Sequence, residues 1–232
     1  MSELTPDDLQ AVLLSLRVAL AAIVVGLPIA VAVAVAQARG RFAARVVLDA
    51  LVTLPLVLPP VATGFFLLLL LGRRGLVGAW LESVGIVFAF DWTGAALAAG
   101  VMAFPLMVRP IRLAIEAVDR EVDEVARTLG AGPLTRFFRI TLPLAAPGVA
   151  AGAILGFAKA VGEFGATITF VAAIPGETLT LPSAIYAATQ SPGAEGRAVA
   201  LCAVAAAIAV VAVLASDAVG RWAARAARGE RS

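Results

Sequence analysis

The stretch Glu116-Ala-Val-Asp-Arg-Glu-Val-Asp-Glu-Val-Ala-Arg-Thr-Leu-Gly130 is followed by Ala131-Gly-Pro-Leu-Thr-Arg-Phe-Phe-Arg-Ile-Thr-Leu-Pro143, a long polar interruption in an otherwise apolar chain. Val118, Val122, Val125 and Leu129 recur at helical spacing and form one apolar stripe. Glu116/Arg120, Arg120/Glu124 and Asp123/Arg127 are opposite charges four residues apart, which supports an exposed helix. Gly130 is a plausible stop, because glycine accepts the left-handed backbone of a helix C-terminus. Gly132-Pro133 then opens a second short helix, Leu134–Ile140, since proline suits a first helical turn. Leu142-Pro143 is expected to end it. The pattern predicts an amphipathic helical hairpin outside an apolar layer; on physics alone an ordinary interfacial loop packed on its own neighbours fits equally well.

What surrounds the hairpin is apolar enough to name the solvent. The chain has 232 residues, 61% hydrophobic and 15% charged, with a mean hydropathy of +0.98. Soluble domains carry about 45–50% apolar and about 25% charged residues, and a chain this short cannot hide the excess from water. Lipid must surround it. Histidine is absent and Cys202 is the only cysteine, within the apolar run Ala198–Ala215. That composition excludes an internal disulfide, Cys/His metal sites and His-based nucleophilic triads. Lys159, the only lysine, sits in Gly156-Phe-Ala-Lys-Ala160, whereas a phosphate-binding loop needs Gly-Lys-Ser/Thr. No cofactor is expected in this chain. A net charge of +2 gives no reason to expect a nucleic-acid partner. The acidic start Met1-Ser-Glu-Leu-Thr-Pro-Asp-Asp8 is unlike a cleavable signal peptide, so the first apolar run is expected to stay in the mature protein.

A spanning helix needs about 20 predominantly apolar residues. Leu9–Ala36, Val46–Leu71, Gly94–Val108 extending toward Ile115, Leu144–Val161 and Arg197–Val219 qualify. The stretch Ala166–Ala188 is interrupted by Ile174-Pro-Gly-Glu-Thr178 and Leu181-Pro182. It reads as partly inserted, so the expectation is an all-α membrane bundle of five spanning helices, with six as the alternative. Thirteen of the eighteen basic residues then fall on one side: Arg39, Arg41 and Arg45; Arg109, Arg112, Arg120, Arg127, Arg136 and Arg139; and Arg221, Arg225, Arg228 and Arg231. The positive-inside rule puts that side in the cytoplasm, with the N-terminus outside. Arg17, inside the long first run, is expected to snorkel to the outer interface. Prolines at Pro28, at Pro55, Pro59 and Pro60, and at Pro105 kink three spans. The second span, with three of them, either faces other helices and a pathway or is simply bent for packing. Ala and Gly throughout spans 1 and 5 permit close helix approach and fit dimerisation.

Glu124-Val-Ala126, Gly130 and Ile140-Thr-Leu-Pro143, at their spacings, resemble the EAA loop of ABC importer permeases. Only Val125 departs from that family's usual alanine. The similarity implies a coupling loop over 116–143 that docks in a groove of a separate ATPase. Glu124, Ala126 and Gly130 would hold its shape and Arg136, Phe137 and Phe138 would be presented to the partner, with Ile140 and Pro143 completing the motif. Further motifs are similar to those of molybdate importer permeases: Leu54-Pro-Leu-Val-Leu-Pro-Pro60, Gly72-Arg-Arg-Gly75, Phe104-Pro-Leu-Met-Val-Arg109, Gly162-Glu-Phe-Gly-Ala-Thr-Ile-Thr-Phe170 and Ile174-Pro-Gly-Glu-Thr178.

This resemblance implies a type I importer transmembrane domain over 9–219 and a basic cytoplasmic tail over 220–232, placed in the bacterial inner membrane. It also implies a homodimer with two cytoplasmic ABC ATPase subunits, which bind the ATP and Mg, and a periplasmic molybdate-binding protein, working by alternating access. Sulfate permeases share Gly162-Glu-Phe-Gly165 but usually carry an extra N-terminal span. Sulfate/thiosulfate and tungstate remain alternative cargoes, and a secondary anion transporter or a membrane-embedded enzyme are rivals of other classes; the internal repeats of the one and the reactive clusters of the other are not visible here. The pathway or gate candidates are Lys159, Gly162, Glu163, Phe164, Gly165 and Thr167. Glu163 would repel an anion, so a structural pairing with Lys159 one turn earlier, or with a basic residue of another helix, is favoured; brief attraction of the oxyanion by Lys159 is the weaker idea.

Overall fold

A backbone that lipid cannot hydrogen-bond must satisfy itself, and helices do so within one segment. The computed structural model describes residues 5–40 and 42–227, and among them every regular element is helical. Helix α1 (Pro6–Arg39) starts at a capping box, in which the Thr5 hydroxyl accepts from Asp8 N–H and the Asp8 carboxylate accepts from Thr5 N–H at 2.8 Å. Helices α2 (Phe42–Val57), α3 (Pro60–Leu71) and α4 (Gly78–Ser83) follow. Then come α5 (Trp92–Glu116), α6 (Arg120–Thr128) and α7 (Pro133–Arg136), which passes through a π-turn at Phe137–Thr141 into α8 (Leu142–Val161). Two short helices, α9 (Gly165–Val171) and α10 (Leu181–Thr189), precede α11 (Glu195–Ala227).

Helices α1, α5, the run Pro133–Val161 and α11 are each long and apolar enough to cross a membrane. Helix α5 is the axis: 61% of its most apolar stretch is buried, with α8 and α1 packed along it. Its seam with α8 is made by Gly148, Gly152 and Gly156, one on each successive turn. A Cβ at Gly148 would lie 2.2 Å from Ala114 Cβ, one at Gly152 2.8 Å from Met107 O, and one at Gly156 2.5 Å from Met107 Cγ. Helices approach this closely only across small residues. Helices α5 and α8 carry Pro105, Pro110 and Pro147 in their interiors, which spanning helices tolerate where neighbours re-satisfy the freed backbone groups.

The expected span Val46–Leu71 is a broken one. It is two helices bent by 112° at Leu58-Pro59. Proline lacks an N–H and restricts the residue before it, so the doublet Pro59-Pro60 ends α2 and starts α3. The broken pair still runs from end to end. Asp49 of α2 accepts from Arg112 near the end of α5 at 2.8 Å, while Leu68 and Leu71 of α3 pack against the same buried cluster as Phe88, just before α5, and Trp92, at its start. Helices α9 and α10, with 7 and 9 residues, are far short of the ~20 residues a crossing needs. The partly inserted reading of Ala166–Ala188 fits these lengths. The tail residues 228–232 and Arg41 lie outside the described residues.

Two further expectations about the hairpin are corrected. Leu142-Pro143 does not end the second helix; α7, the π-turn and α8 are continuous. Leu142 N–H reaches back five residues to Phe137 O, and this widened turn accommodates Pro143 within the continuous helix. The first helix is also shorter than Glu116–Gly130. The chain breaks after Glu116, and Asp119 caps a fresh start by accepting from Glu121 N–H at 2.9 Å.

Candidate functional site

One end of the bundle carries α6, the end of α1, the start of α2, the end of α5 and the π-turn. Helix α6 stops through a Schellman motif: Ala131 N–H donates to Ala126 O at 3.0 Å, and Gly130 N–H to Arg127 O at 3.1 Å. Gly130 has φ +83, and a Cβ there would meet nothing within 4 Å. Its requirement is therefore conformational and not spatial.

The ion pairs at this end are not the expected ones. Asp123 turns from Arg127 to Arg136, whose Nη1 lies 2.5 Å from Asp123 Oδ2, with Arg39 of α1 at 4.0 Å from the other oxygen. Glu116 receives Arg45 at 2.8 Å and Arg112 at 3.3 Å. The Arg120 side chain lies outside the described side chains, and with it the two pairs expected there. Arg39 also donates to the Thr141 hydroxyl at 2.9 Å. These charges surround a polar cavity of about 800 Å³ into which Glu124 also faces.

The expected outward presentation of Arg136 is corrected: its side chain is only 15% exposed. A guanidinium bound to a carboxylate on the neighbouring short helix closes the hairpin. What is presented instead is apolar: Val122, Val125, Leu129, Leu134 and Phe138 are exposed, Leu129 to 82%. Phe137 sits edge-on to Phe138 with ring centroids 5.0 Å apart. Ala126 is half-buried and serves through its carbonyl, while Ile140 and Pro143 belong to the continuous helix behind the hairpin.

The second candidate region lies where two helix breaks abut. Gly162 ends α8, and Glu163 is 2% exposed. Its carboxylate takes Lys159 Nζ on one oxygen and Ala166 N–H, at 3.1 Å, on the other. Thr167 donates to Phe164 O at 2.8 Å and also touches Glu163 O at 3.3 Å. Phe164 packs on Tyr186 with centroids 5.1 Å apart. Across from this turn stands the proline break: a Cβ at Gly165 would lie 2.7 Å from Pro60 Cβ, and one at Gly64 2.4 Å from Ala166 O. The six pathway candidates thus cluster in and beside one break, Lys159 on the last turn of α8 and Gly165 and Thr167 in α9, pressed against the other. Ala172, which ends α9, has φ +61, a strained conformation for alanine. A Pro175-Gly176 turn follows, with Glu177 N–H on Ile174 O at 3.1 Å and Gly176 at φ +79.

Other polar residues had no reading in sequence. Arg197 of α11 grips Asp8 of α1 through Nε and Nη2 at 2.6–3.0 Å. The buried Ser15 hydroxyl accepts Leu181 N–H at 2.7 Å, capping α10 from α1. Asp49, an acid inside an apolar run, was the available signal for the cluster around Arg112.

Residues 18–229 match the family described as binding-protein-dependent transport system inner membrane component. The chain belongs to that family. It is therefore a multi-pass inner membrane component of a transport system. It is 51% identical to the molybdenum transport system permease protein ModB of Escherichia coli strain K12 over 226 residues, 97% of each chain. With the protein of that name from Haemophilus influenzae it shares 46% over 211 residues, 90% of this chain and 92% of the other. Among solved structures, a bacterial ABC transporter that imports the acidic polysaccharide alginate aligns with TM-score 0.70 at 18% identity, covering 95% of this chain and 80% of that one. An amino acid ABC transporter solved with histidines aligns at 0.60 and 18%, covering 95% and 94%. At such identity these structures establish the fold, that of ABC importer transmembrane subunits.

Proposed function

We propose that this chain is the permease subunit of a molybdate ABC importer, with residues 9–219 forming the transmembrane domain, 116–143 the coupling loop and 220–232 a cytoplasmic tail. The observation that carries the reading is 51% identity to a molybdenum transport permease across 97% of both chains. The exposed apolar face of Val122, Val125, Leu129 and Phe138 supports a docking role, since a water-facing patch of this kind marks an interaction site. Its partner is a cytoplasmic ATPase that binds ATP and Mg, one copy for each permease of a homodimer. The chain itself has no phosphate-binding loop. The basic residues gathered at the α6 end support a cytoplasmic position for that end and a periplasmic N-terminus. A periplasmic molybdate-binding protein delivers the oxyanion at the far end; the alginate transporter has been crystallised with its own ligand-bound periplasmic protein. ATP closes the two ATPases, the hairpins follow, and the state open to the periplasm gains population. The abutting breaks at Pro59-Pro60 and Gly162–Phe164 form the gate, with Glu163 and Lys159 bracing it.

The test is uptake of labelled molybdate at trace concentration in a strain deleted for this chain, with and without complementation. Loss and recovery of uptake support the assignment; normal uptake in the deletion strain overturns it. Competition by excess sulfate or tungstate in the complemented strain separates the alternative cargoes, and uptake that persists without the ATPase selects a secondary transporter.

A further inference from the structure

Arg17 is a cation within a candidate span, and among the described residues no carboxylate lies within ion-pair distance of it. Its guanidinium stacks on the Trp92 ring, 3.8 Å from the centroid, an attraction available to a cation on an aromatic face. Arg17 lies about 33 Å along α1 from Arg39, at about 1.5 Å per residue. Arg39 belongs to the polar α6 end, so a hydrocarbon core about 30 Å thick places Arg17 at the opposite lipid boundary. Tryptophan at the start of α5 belongs at the same depth.

Below this pair runs an apolar groove of about 470 Å³ between α1 and α5. Ala21, Val25 and Ile29 descend from Arg17 at one-turn spacing on α1, and Ala96, Gly100 and Phe104 descend from Trp92 on α5. The α5 stripe is about 18 Å long at about 1.5 Å per residue, close to the depth of one leaflet of a core about 30 Å thick. Small residues hold the groove open: a Cβ at Gly100 would come no nearer than 3.6 Å to Ala22 Cβ. Asp91, the acid beside Trp92 in sequence, is engaged in capping α5, its Oδ1 accepting from Thr93 N–H at 2.8 Å and from the Thr93 hydroxyl. The mouth therefore offers a cation on an aromatic plate, and the floor offers an apolar channel.

We propose that this groove is a binding site for one anionic phospholipid of the leaflet opposite the coupling hairpin. Its phosphate meets Arg17, and one acyl chain lies between the Ala21 and Gly100 stripes. A free inorganic anion would leave the groove empty, and a zwitterionic lipid would bring an ammonium that offsets its phosphate and so pair less well with Arg17.

The test uses the full chain in its purified transporter complex, delipidated and titrated with dioleoyl phosphatidylglycerol or dioleoyl phosphatidylethanolamine, with retained lipid counted by native mass spectrometry. Wild type retains one phosphatidylglycerol, and Arg17→Gln weakens retention about fivefold or more, the effect of one basic residue at a lipid surface. Gly100→Leu, which fills the groove without touching the charge, weakens it to a similar degree, whereas Arg74→Gln on the same side leaves it unchanged. Equal retention by wild type and either Arg17→Gln or Gly100→Leu overturns the proposal. Equal retention of the two lipids, or an equal loss in Arg74→Gln, also overturns it.

Discussion

Replacing Gly130 gives the sharpest test of how the hairpin holds its shape. The residue sits at φ +83 and its Cβ position is empty to 4 Å, so a substitution meets no wall. The whole effect comes from forcing an L-residue into left-handed backbone, about 1–2 kcal/mol for alanine. That shifts the equilibrium between the closed and opened turn roughly 5–30-fold. Asparagine is bulkier than alanine but visits this region more readily, so Gly130→Asn should fall between wild type and Gly130→Ala. Gly130→Pro removes the N–H donated to Arg127 O and imposes φ near −65°; it should abolish the motif. In vesicles holding the full transporter, ATP-driven uptake should follow the order Gly, Asn, Ala, Pro. The amount of permease in the membrane should stay constant, because the hairpin lies outside the spans. An order set by side-chain size, with alanine better than asparagine, would refute the conformational argument, and unchanged uptake in Gly130→Pro would remove the hairpin from the mechanism.

Neutralising either partner of the Asp123–Arg136 pair should loosen α6 from α7 by about 1–3 kcal/mol, since it strands a partly buried charge; faster hydrogen exchange over 120–130 is the readout, and wild-type exchange in Asp123→Asn would contradict it. Ser15→Ala removes the acceptor for the buried Leu181 N–H at about 1–3 kcal/mol, so the purified protein should melt several degrees lower while Ser15→Thr melts near wild type; an unchanged midpoint in Ser15→Ala would show that the bond contributes nothing. Lys159→Met leaves the buried Glu163 carboxylate without its cation and should cost near the lower end of about 3–5 kcal/mol, because Lys159 is itself 29% exposed. Lys159→Met combined with Glu163→Gln should recover most of that loss; no recovery would sink the idea of a structural pair.

The long helices α1, α5 and α11, the turn at Gly130 and the Lys159–Glu163 pair were legible because each depends on residue patterns local in the chain. Proline at 59 and 60 announced a break in the second span, but its angle depends on what packs beside it, here Gly165 and Ala166 of a distant segment. Pro143 misled for a related reason. Proline ends a helix unless the preceding turn widens to absorb the missing donor, and nothing local distinguishes a π-turn from a stop. Spacing four residues apart suggested Asp123 with Arg127, yet Arg136 across the hairpin won, because its side chain is only 15% exposed and its pair is less screened by water than one on an exposed helix face. Contacts such as Arg197 with Asp8 join residues far apart in the chain and carry no periodic signature.

The unbroken helix from Pro133 to Val161 has 29 residues, about 43 Å at about 1.5 Å per residue. A rod of that length, welded to α5 along its glycine seam, behaves as a lever with no elbow between handle and load. A tilt of about 5° at the hairpin would swing the Gly162 turn by nearly 4 Å on this geometry, enough to pull touching side chains out of van der Waals contact. A hinge at Leu142-Pro143 would instead have let the hairpin rock while the far end stood still.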